Sequence, residues 1–361
     1  MKKIAKILYG LLTIGLVFGL AGPLFAMGTA CGLLLSIKPQ QKERIYVAGI
    51  SREIWESDIT RLFYKSNEFM LRAKDDSEYV NYRTVHLPQS GVDPTVTVNQ
   101  TYVSTPLAVG QRTDTTVDYS IDELSTSPTR ILNAETVELS YNKREDVIMQ
   151  HTKAVRQTAA DLMIYKWGAT ASSSANILRT TGFANNDVTT AVSANAYLPS
   201  ATGTRKVFTL YDVRQANVVL NNANVPLEGR CMLMSANAYD QLLTDLVATK
   251  YRDFSDLIDA KTGVVNRVLG FDIYIRSTTL RYDNSTTPVK KAQAAAAAAT
   301  DNDSVLFWQE DQVRRALGDI HMFEDINSAV YQGDVYSVLM RHGGALSRTT
   351  ELGVGAIVQT P

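Results

Sequence analysis

The chain is poor in the residues that build disulfide frameworks and metal sites. It has two cysteines, Cys31 and Cys231, and four histidines, His86, His151, His321 and His342. Cys31 lies in an apolar N-terminal run and Cys231 in an expected buried strand, which argues against a disulfide framework and for a reducing compartment. No histidine stands at a metal-ligand spacing from a cysteine or from another histidine. An excess of charge is missing too: 36 Lys and Arg face 37 Asp and Glu, for a formal net charge of −1. That balance gives no basis for sequence-specific DNA binding or for capture by an anionic membrane. There is no G-x-x-x-x-G-K-S/T loop, no G-x-G-x-x-G after a strand and no G-x-S-x-G elbow. Gly353 and Gly355 lie in an expected terminal strand, and Ser235 reads as a helix cap, not a nucleophile. The acid pairs Asp75-Asp76, Glu310-Asp311 and Glu324-Asp325 read as solvated surface. No catalytic residue, cofactor or metal is expected, and the chain reads as not an enzyme.

What is present is a folded chain. Its 361 residues, 45% hydrophobic and 20% charged, fit one large domain or two ordinary ones. Residues 1–37 stand apart: M-K-K-I-A-K precedes 31 positions, Ile7 to Ile37, without a charge. Taken alone this is a secretory signal or a membrane anchor, with a mediocre cleavage site after Ala26. Residues 38–44 form a polar linker. Glu53 to Met70 then places Ile54, Trp55, Ile59, Leu62, Phe63 and Phe69 at helical spacing.

From Tyr79 to Ile131 the period changes to two. Alternating runs at Val80–Pro88, Thr95–Val103 and Asp114–Tyr119 are separated by turn residues. They carry many threonines and one mildly apolar face, too little for an independent core. Tyr141 to Gly168 is the clearest helix. Asn142 and Glu145 form an expected capping box, Ile148, Val155, Ala159, Leu162 and Met163 follow the helical period, and Gly168 stops it. Its length is about 37 Å. His151 within it reads as structural. Ala169–Arg205 reads as a surface loop or weak insertion, and Thr209–Leu220 as a helix capped by Thr209. The alanine run 292–299 reads as a variable surface loop, and Ser304–Trp308 as a buried strand. Val335–Met340 and Gly353–Val358 read as closing strands, joined through Arg341-His342-Gly343-Gly344.

The most specific stretch is Val225 to Ser277. It opens V-P-L-E-G-R and continues as a strand, C-M-L-M-S, and a helix with Tyr239, Leu242, Leu243 and Leu246 on one face. G-V-V-N-R-V-L-G-F-D-I-Y-I-R-S follows from Gly263. This order resembles the axial domain of tailed-phage major capsid proteins of the HK97 fold, where V-P-x-x-G-R, a strand and a helix precede G-x-x-x-R-x-x-G-F-x-V/I-Y. The preceding hairpin and long helix resemble that family's extended loop and spine helix.

The resemblance implies an α+β HK97-like capsid fold. Its parts would be an N-terminal arm over 38–78 and an extended hairpin loop over 79–130. A peripheral domain would combine 131–205 with 304–342 around a spine helix at 142–167, and an axial domain would combine 206–303 with 343–361. It also implies a shell protein whose partner is itself, in hexamers and pentamers of an icosahedral head enclosing double-stranded DNA, with scaffold, portal and decoration proteins as further partners. The location would be the virion, after assembly in the host cytoplasm. Candidate inter-subunit residues are Trp55, Phe63, Arg83, Arg112, Arg314 and Arg341. Residues 1–37 conflict with this reading. A downstream start, an assembly-time extension or a different function would resolve the conflict. The alternatives are a secreted or membrane-anchored surface protein and an encapsulin-like nanocompartment shell.

Overall fold

Strand Arg230–Ser235 sets the architecture, because all six of its residues are buried. Side chains alternate across a strand, so Cys231 and Leu233 enter one core while Met232 and Met234 enter another. Its neighbour Asn302–Gln309 is also buried throughout and divides the same way, with Leu306 and Trp308 on one side and Val305 and Phe307 on the other. A strand buried on both faces needs a layer on each side. In this computed structural model, helix α1 (Lys143–Trp167) and the segment Phe69–Ala73 pack into the first core. Helices α2 (Leu210–Asn222) and α3 (Ala236–Ala248) pack into the second. The described residues are 67–361 apart from 82, 92–95, 97, 100–110, 112, 133–142, 171–173, 185–186, 249–266, 284 and 293.

The central sheet runs in the order Arg267–Val268, Phe271–Arg276, Arg230–Ser235, Asn302–Gln309, Val354–Val358, Ile177–Arg179, with Arg281–Tyr282 and Lys290–Lys291 attached at the start of Asn302–Gln309. The pairing of Phe271–Arg276 with Arg230–Ser235 is parallel, while Asn302–Gln309 is antiparallel to both of its long neighbours. Residues 304–342 thus take part in two sheets, the first strand in the central one and the rest beside α1. The first strand, with Val305 and Phe307 on one face and Leu306 and Trp308 on the other, joins the sheet that has a core on each side. Ile177–Arg179 joins the same sheet.

The two halves of the 225–277 fingerprint meet through Arg230, which is 1% exposed. Its guanidinium donates to the carbonyls of Val225 at 2.6 Å and Pro226 at 2.9 Å, and to the side-chain oxygens of Asn221 at 2.8 Å and of Asn217. It thus satisfies acceptors at the C-terminal end of α2, where a cation is favoured. Asn217 in turn donates to the Leu269 carbonyl at 3.1 Å. Leu269 and Gly270 have φ of +47° and +87°, the pair of positive values that a tight hairpin turn between Arg267–Val268 and Phe271–Arg276 requires. The V-P-x-x-G-R run and the G-F run are one hydrogen-bonded unit.

A second sheet is built on a long ribbon, Val313–Ser328 paired with Gly333–Leu346, and extended by Asp122–Ser125, Thr129–Leu132 and Lys74–Asp75. Met322, Val338 and Met340 belong to the ribbon; Val338 and Met340 share a core with Ala159, Ala160 and Met163 of α1. The Arg341-His342-Gly343-Gly344 run is not a joint. The strand passes straight through it, and the glycines are needed for close approach. A Cβ on Gly344 would lie 2.8 Å from the Met163 sulfur, and one on Gly343 3.0 Å from the Ile121 backbone.

The smaller parts depart from expectation in instructive ways. Ala169–Arg205 is a set of short strands, including the pair Ser193–Asn195 and Thr204–Lys206, not a plain loop. The alanine run is a loop, but a pinned one. Arg281 donates to the carbonyls of Ala292 and Ala295, Lys291 to Ala296 and Arg205 to Ala299. Helix α2 begins with a Thr209/Asp212 capping box. The Asn142 cap expected for α1 lies outside the described residues. Among the described residues, the hairpin Thr84–Gln89 with Thr115–Ser120 has a small core of Val85, Leu87, Tyr119, Ile121 and Ala316, with Val80, Val117 and Ala345 packed against it.

Candidate assembly surfaces

Among the described residues, several buried titratable groups hold elements together through hydrogen bonds. Among the described residues no group of three or more His, Cys, Asp or Glu side chains is placed to hold a metal. Cys231 is buried, and burial pushes its thiol up to about 12, far from a nucleophile at neutral pH. Ser235 caps α3, accepting from the Ala238 amide at 3.2 Å, and donates to Asp303 at 2.7 Å. The Asp303 carboxylate also takes bonds from the hydroxyls of Thr279 at 2.5 Å and of Tyr197. It ties the Ser193–Lys206 hairpin to the central sheet, and burial raises its pKa. Burial likewise pushes Asp212 up to about 6, although it accepts from Thr181 and Thr209. His151 is buried on α1 and lowered by desolvation.

Each acid pair read as solvated surface has at least one member that meets a basic group of its own chain. Asp76 is 1% exposed, accepting from Arg314 at 2.8 Å and from the Tyr119 hydroxyl at 3.2 Å. Asp75 meets Arg315 at 2.7 Å, Glu324 meets Arg144 at 3.1 Å, and Glu310 lies 3.6 Å from Arg72. The partners are separated by up to 240 positions, Asp75 to Arg315, so no local pattern announces them. Of the candidate inter-subunit residues, Arg314 is spent inside the chain, on Asp76 and on Ser347 at 2.9 Å. Arg341 lies 3.4 Å from Glu123 at the surface, and Arg83 is exposed. Trp55, Phe63 and Arg112 lie outside the described residues.

Two kinds of surface stand out among the described residues. The turn end of the ribbon exposes Phe323, Ile326, Val330 and Tyr331, with Val330 82% accessible. Grooves of about 550 and 620 Å³ flank α1, one toward Glu123–Thr129 and one toward Ile275–Ser277. Contiguous apolar exposure of this kind marks a place where another surface fits.

A mixed sheet layered between one long helix and two short ones, with a long ribbon and a thin hairpin, recurs in solved structures. The capsid structure of the cyanophage P-SCSP1u aligns over 80% of this chain and 85% of its own, at 20% identity and a TM-score of 0.51. The structure of Mycobacterium phage Che8 aligns over 80% and 89%, at 16% identity and 0.51. The capsid of Ralstonia phage GP4 aligns over 80% and 87%, at 12% identity and 0.52. The chain has the HK97-like capsid fold. No protein-family model and no curated protein matches the sequence, so the likeness is carried by the backbone.

Proposed function

We propose that this chain is the major capsid protein of a tailed double-stranded DNA phage or prophage, with a mechanical and not an enzymatic role. Many copies assemble into hexamers and pentamers of an icosahedral head, around DNA that is enclosed without sequence recognition. The observation that carries this reading is the capsid fold over four fifths of the chain. The apolar ribbon end and the thin hairpin support it, since both leave surface that a monomer does not cover. In this reading α1 is the spine helix and Thr84–Ser120 the extended loop. The peripheral domain is α1 with the ribbon, and the axial domain is the central sheet with α2 and α3. Arg83 and Arg341 serve at subunit boundaries, where the guanidinium fork suits exposed carboxylates.

The test is electron microscopy and sedimentation of the purified full chain, alone and co-expressed with the genes flanking its own. Closed shells, tubes or ring-shaped capsomers are the expected result. The uncharged run Ile7–Ile37 favours one rival, a secreted or anchored surface protein. Exported monomer clipped near Ala26 would establish that rival. Shells that enclose a cargo protein and no DNA would establish the nanocompartment instead.

A further inference from the structure

The outer strand of the ribbon, Val313–Ser328, has a neighbour along only part of its outer edge. Lys74–Asp75 pairs with Arg314 and Arg315, and the Leu317 amide donates to the Ser77 hydroxyl at 2.9 Å. Beyond that point no described strand lies beside it. An open edge is a template for another chain, and proteins blunt it with lysine, proline or bulges. Residues 316–328, A-L-G-D-I-H-M-F-E-D-I-N-S, contain neither lysine nor proline. Irregularities in the ribbon pairing fall between Leu317 and Ile320 and between Asp325 and Ser328. They bracket a straight run, Ile320–Asp325. Its outward row, His321, Phe323 and Asp325, is exposed, with the first two rings 6.5 Å apart.

We propose that this edge lies antiparallel against the same edge of a second copy, about a two-fold axis passing at Phe323. The row is complementary to itself. An axis at Phe323 sets the two Phe323 rings together and places His321 of each copy opposite Asp325 of the other, and aromatic pairs and N–H to carboxylate contacts both stabilise cross-strand positions. Moving the axis by one residue sets Asp319 against Asp325 in one direction and Glu324 against itself in the other, and like charges directly opposite destabilise. The same axis also accounts for exposed apolar residues at both ends of the edge. Val330, in the ribbon turn, lies seven residues or about 23 Å beyond Phe323. Counting as far back reaches Ala316, beside which Ser77–Tyr79 runs with Tyr79 65% exposed. Each turn therefore meets Tyr79 of the other copy. The turn is already ordered, since the Asn327 amide donates to Asp334 at 2.9 Å and Arg130 to the Tyr331 carbonyl at 3.4 Å, so docking costs little conformational freedom. In the shell, head-to-tail contacts close each ring of copies and this two-fold contact joins one ring to the next; that role, unlike the pairing itself, rests on the capsid reading.

The test is a disulfide trap in the full chain carrying Cys31→Ser, oxidised mildly in whatever assembly it forms and run unreduced. A residue on the axis meets its own copy, so Phe323→Cys should give a dimer bonded 323 to 323, mapped by peptide digestion. Val330→Cys, though more exposed, should give none, because its two copies stand about 45 Å apart. His321→Cys with Asp325→Cys keeps the Phe323 ring. It should give a dimer with 321-to-325 bonds, which cannot close within one strand over about 13 Å. Monomer from both the Phe323→Cys and the paired variant would overturn the proposal, and so would a dimer bonded at Val330→Cys. Shells that lack the 323 bond would sink this contact and leave the capsid reading standing. Dimers bonded at 323, from a chain that builds no particle even with its flanking genes, would keep the contact and sink the capsid reading.

Discussion

Arg230 makes its bonds to neutral acceptors: two backbone carbonyls and two asparagine side chains. Removing it leaves several buried oxygens without donors, at about 1–3 kcal/mol each. Arg230→Met should therefore cost about 3 kcal/mol or more in urea unfolding, by the same unsatisfied-acceptor penalty. Arg230→Lys should recover only part, because an ammonium keeps the charge but not the fork. His342 gives the second residue-scale test. It is fully buried, and desolvation together with Arg315 on one ribbon strand and Lys166 on α1 pushes it down to about 3, against the weaker opposite pull of Asp75 and Asp122. The folded state holds it neutral while the unfolded chain protonates near 6.5, so acid favours unfolding throughout the window from about 6.5 to 3. Stability should fall by about 2 kcal/mol between about pH 7 and pH 5 on this account, and His342→Gln should remove that slope when the two urea midpoints are compared. Neither role is legible in the sequence. V-P-L-E-G-R shows that an arginine is wanted but not what it holds, and His342 sits among residues that read as a joint. Asp75 and Asp76 read as solvated because their arginines lie some 240 positions away.

Helices and doubly buried strands are legible where a period is strong. The long helix α1 appears as Lys143–Trp167, with Ile148, Val155, Ala159 and Met163 of the expected set buried and Leu162 only half-buried. Cys231–Met234 and Val305–Trp308 read as buried because both of their faces are apolar, while the buried polar ends Asn302, Asp303 and Gln309 carry no such signal. The ribbon resists reading for a physical reason. Arg341, His342 and two glycines break the apolar pattern, yet the strand continues because its pairing is set by the facing strand, with His342 opposite Leu317 and Gly344 opposite Arg315. Helix α1 sits close to the ribbon because small residues allow it: Ala159 and Ala160 are 0% exposed, and Gly344 lies under Met163. Enlarging that contact should be costly. Ala160→Leu should destabilise by about 1–3 kcal/mol through overpacking, and Gly344→Ala should do the same with a measurable drop in melting temperature. Ala154→Leu, on the exposed side of the same helix, should stay within about 0.5 kcal/mol of the parent and serve as control.

At the scale of the whole molecule, the order of the elements discloses the fold, and the surfaces on which copies meet are the least legible part. Surface patches have no period of their own: Phe323, Ile326, Val330 and Tyr331 are ordinary apolar residues until the structure shows them exposed at the ribbon end. Arg314, a candidate from a basic cluster, hydrogen-bonds Asp76 and Ser347 of its own chain. The distinction yields the last prediction. A residue that stabilises the monomer changes unfolding when replaced, while one that serves assembly leaves unfolding alone and changes the particle. Phe323 is 54% exposed and contributes little to its own core. Phe323→Glu should therefore unfold within about 0.5 kcal/mol of the parent. Under the capsid reading it should abolish or sharply reduce shells and capsomers in sedimentation, because an obligate interface buries upwards of about 2,000 Å² and tolerates a buried unpaired carboxylate poorly. Normal particles from Phe323→Glu would remove the ribbon end from the assembly surface. A large loss of monomer stability would show that the exposed ring packs within its own subunit after all.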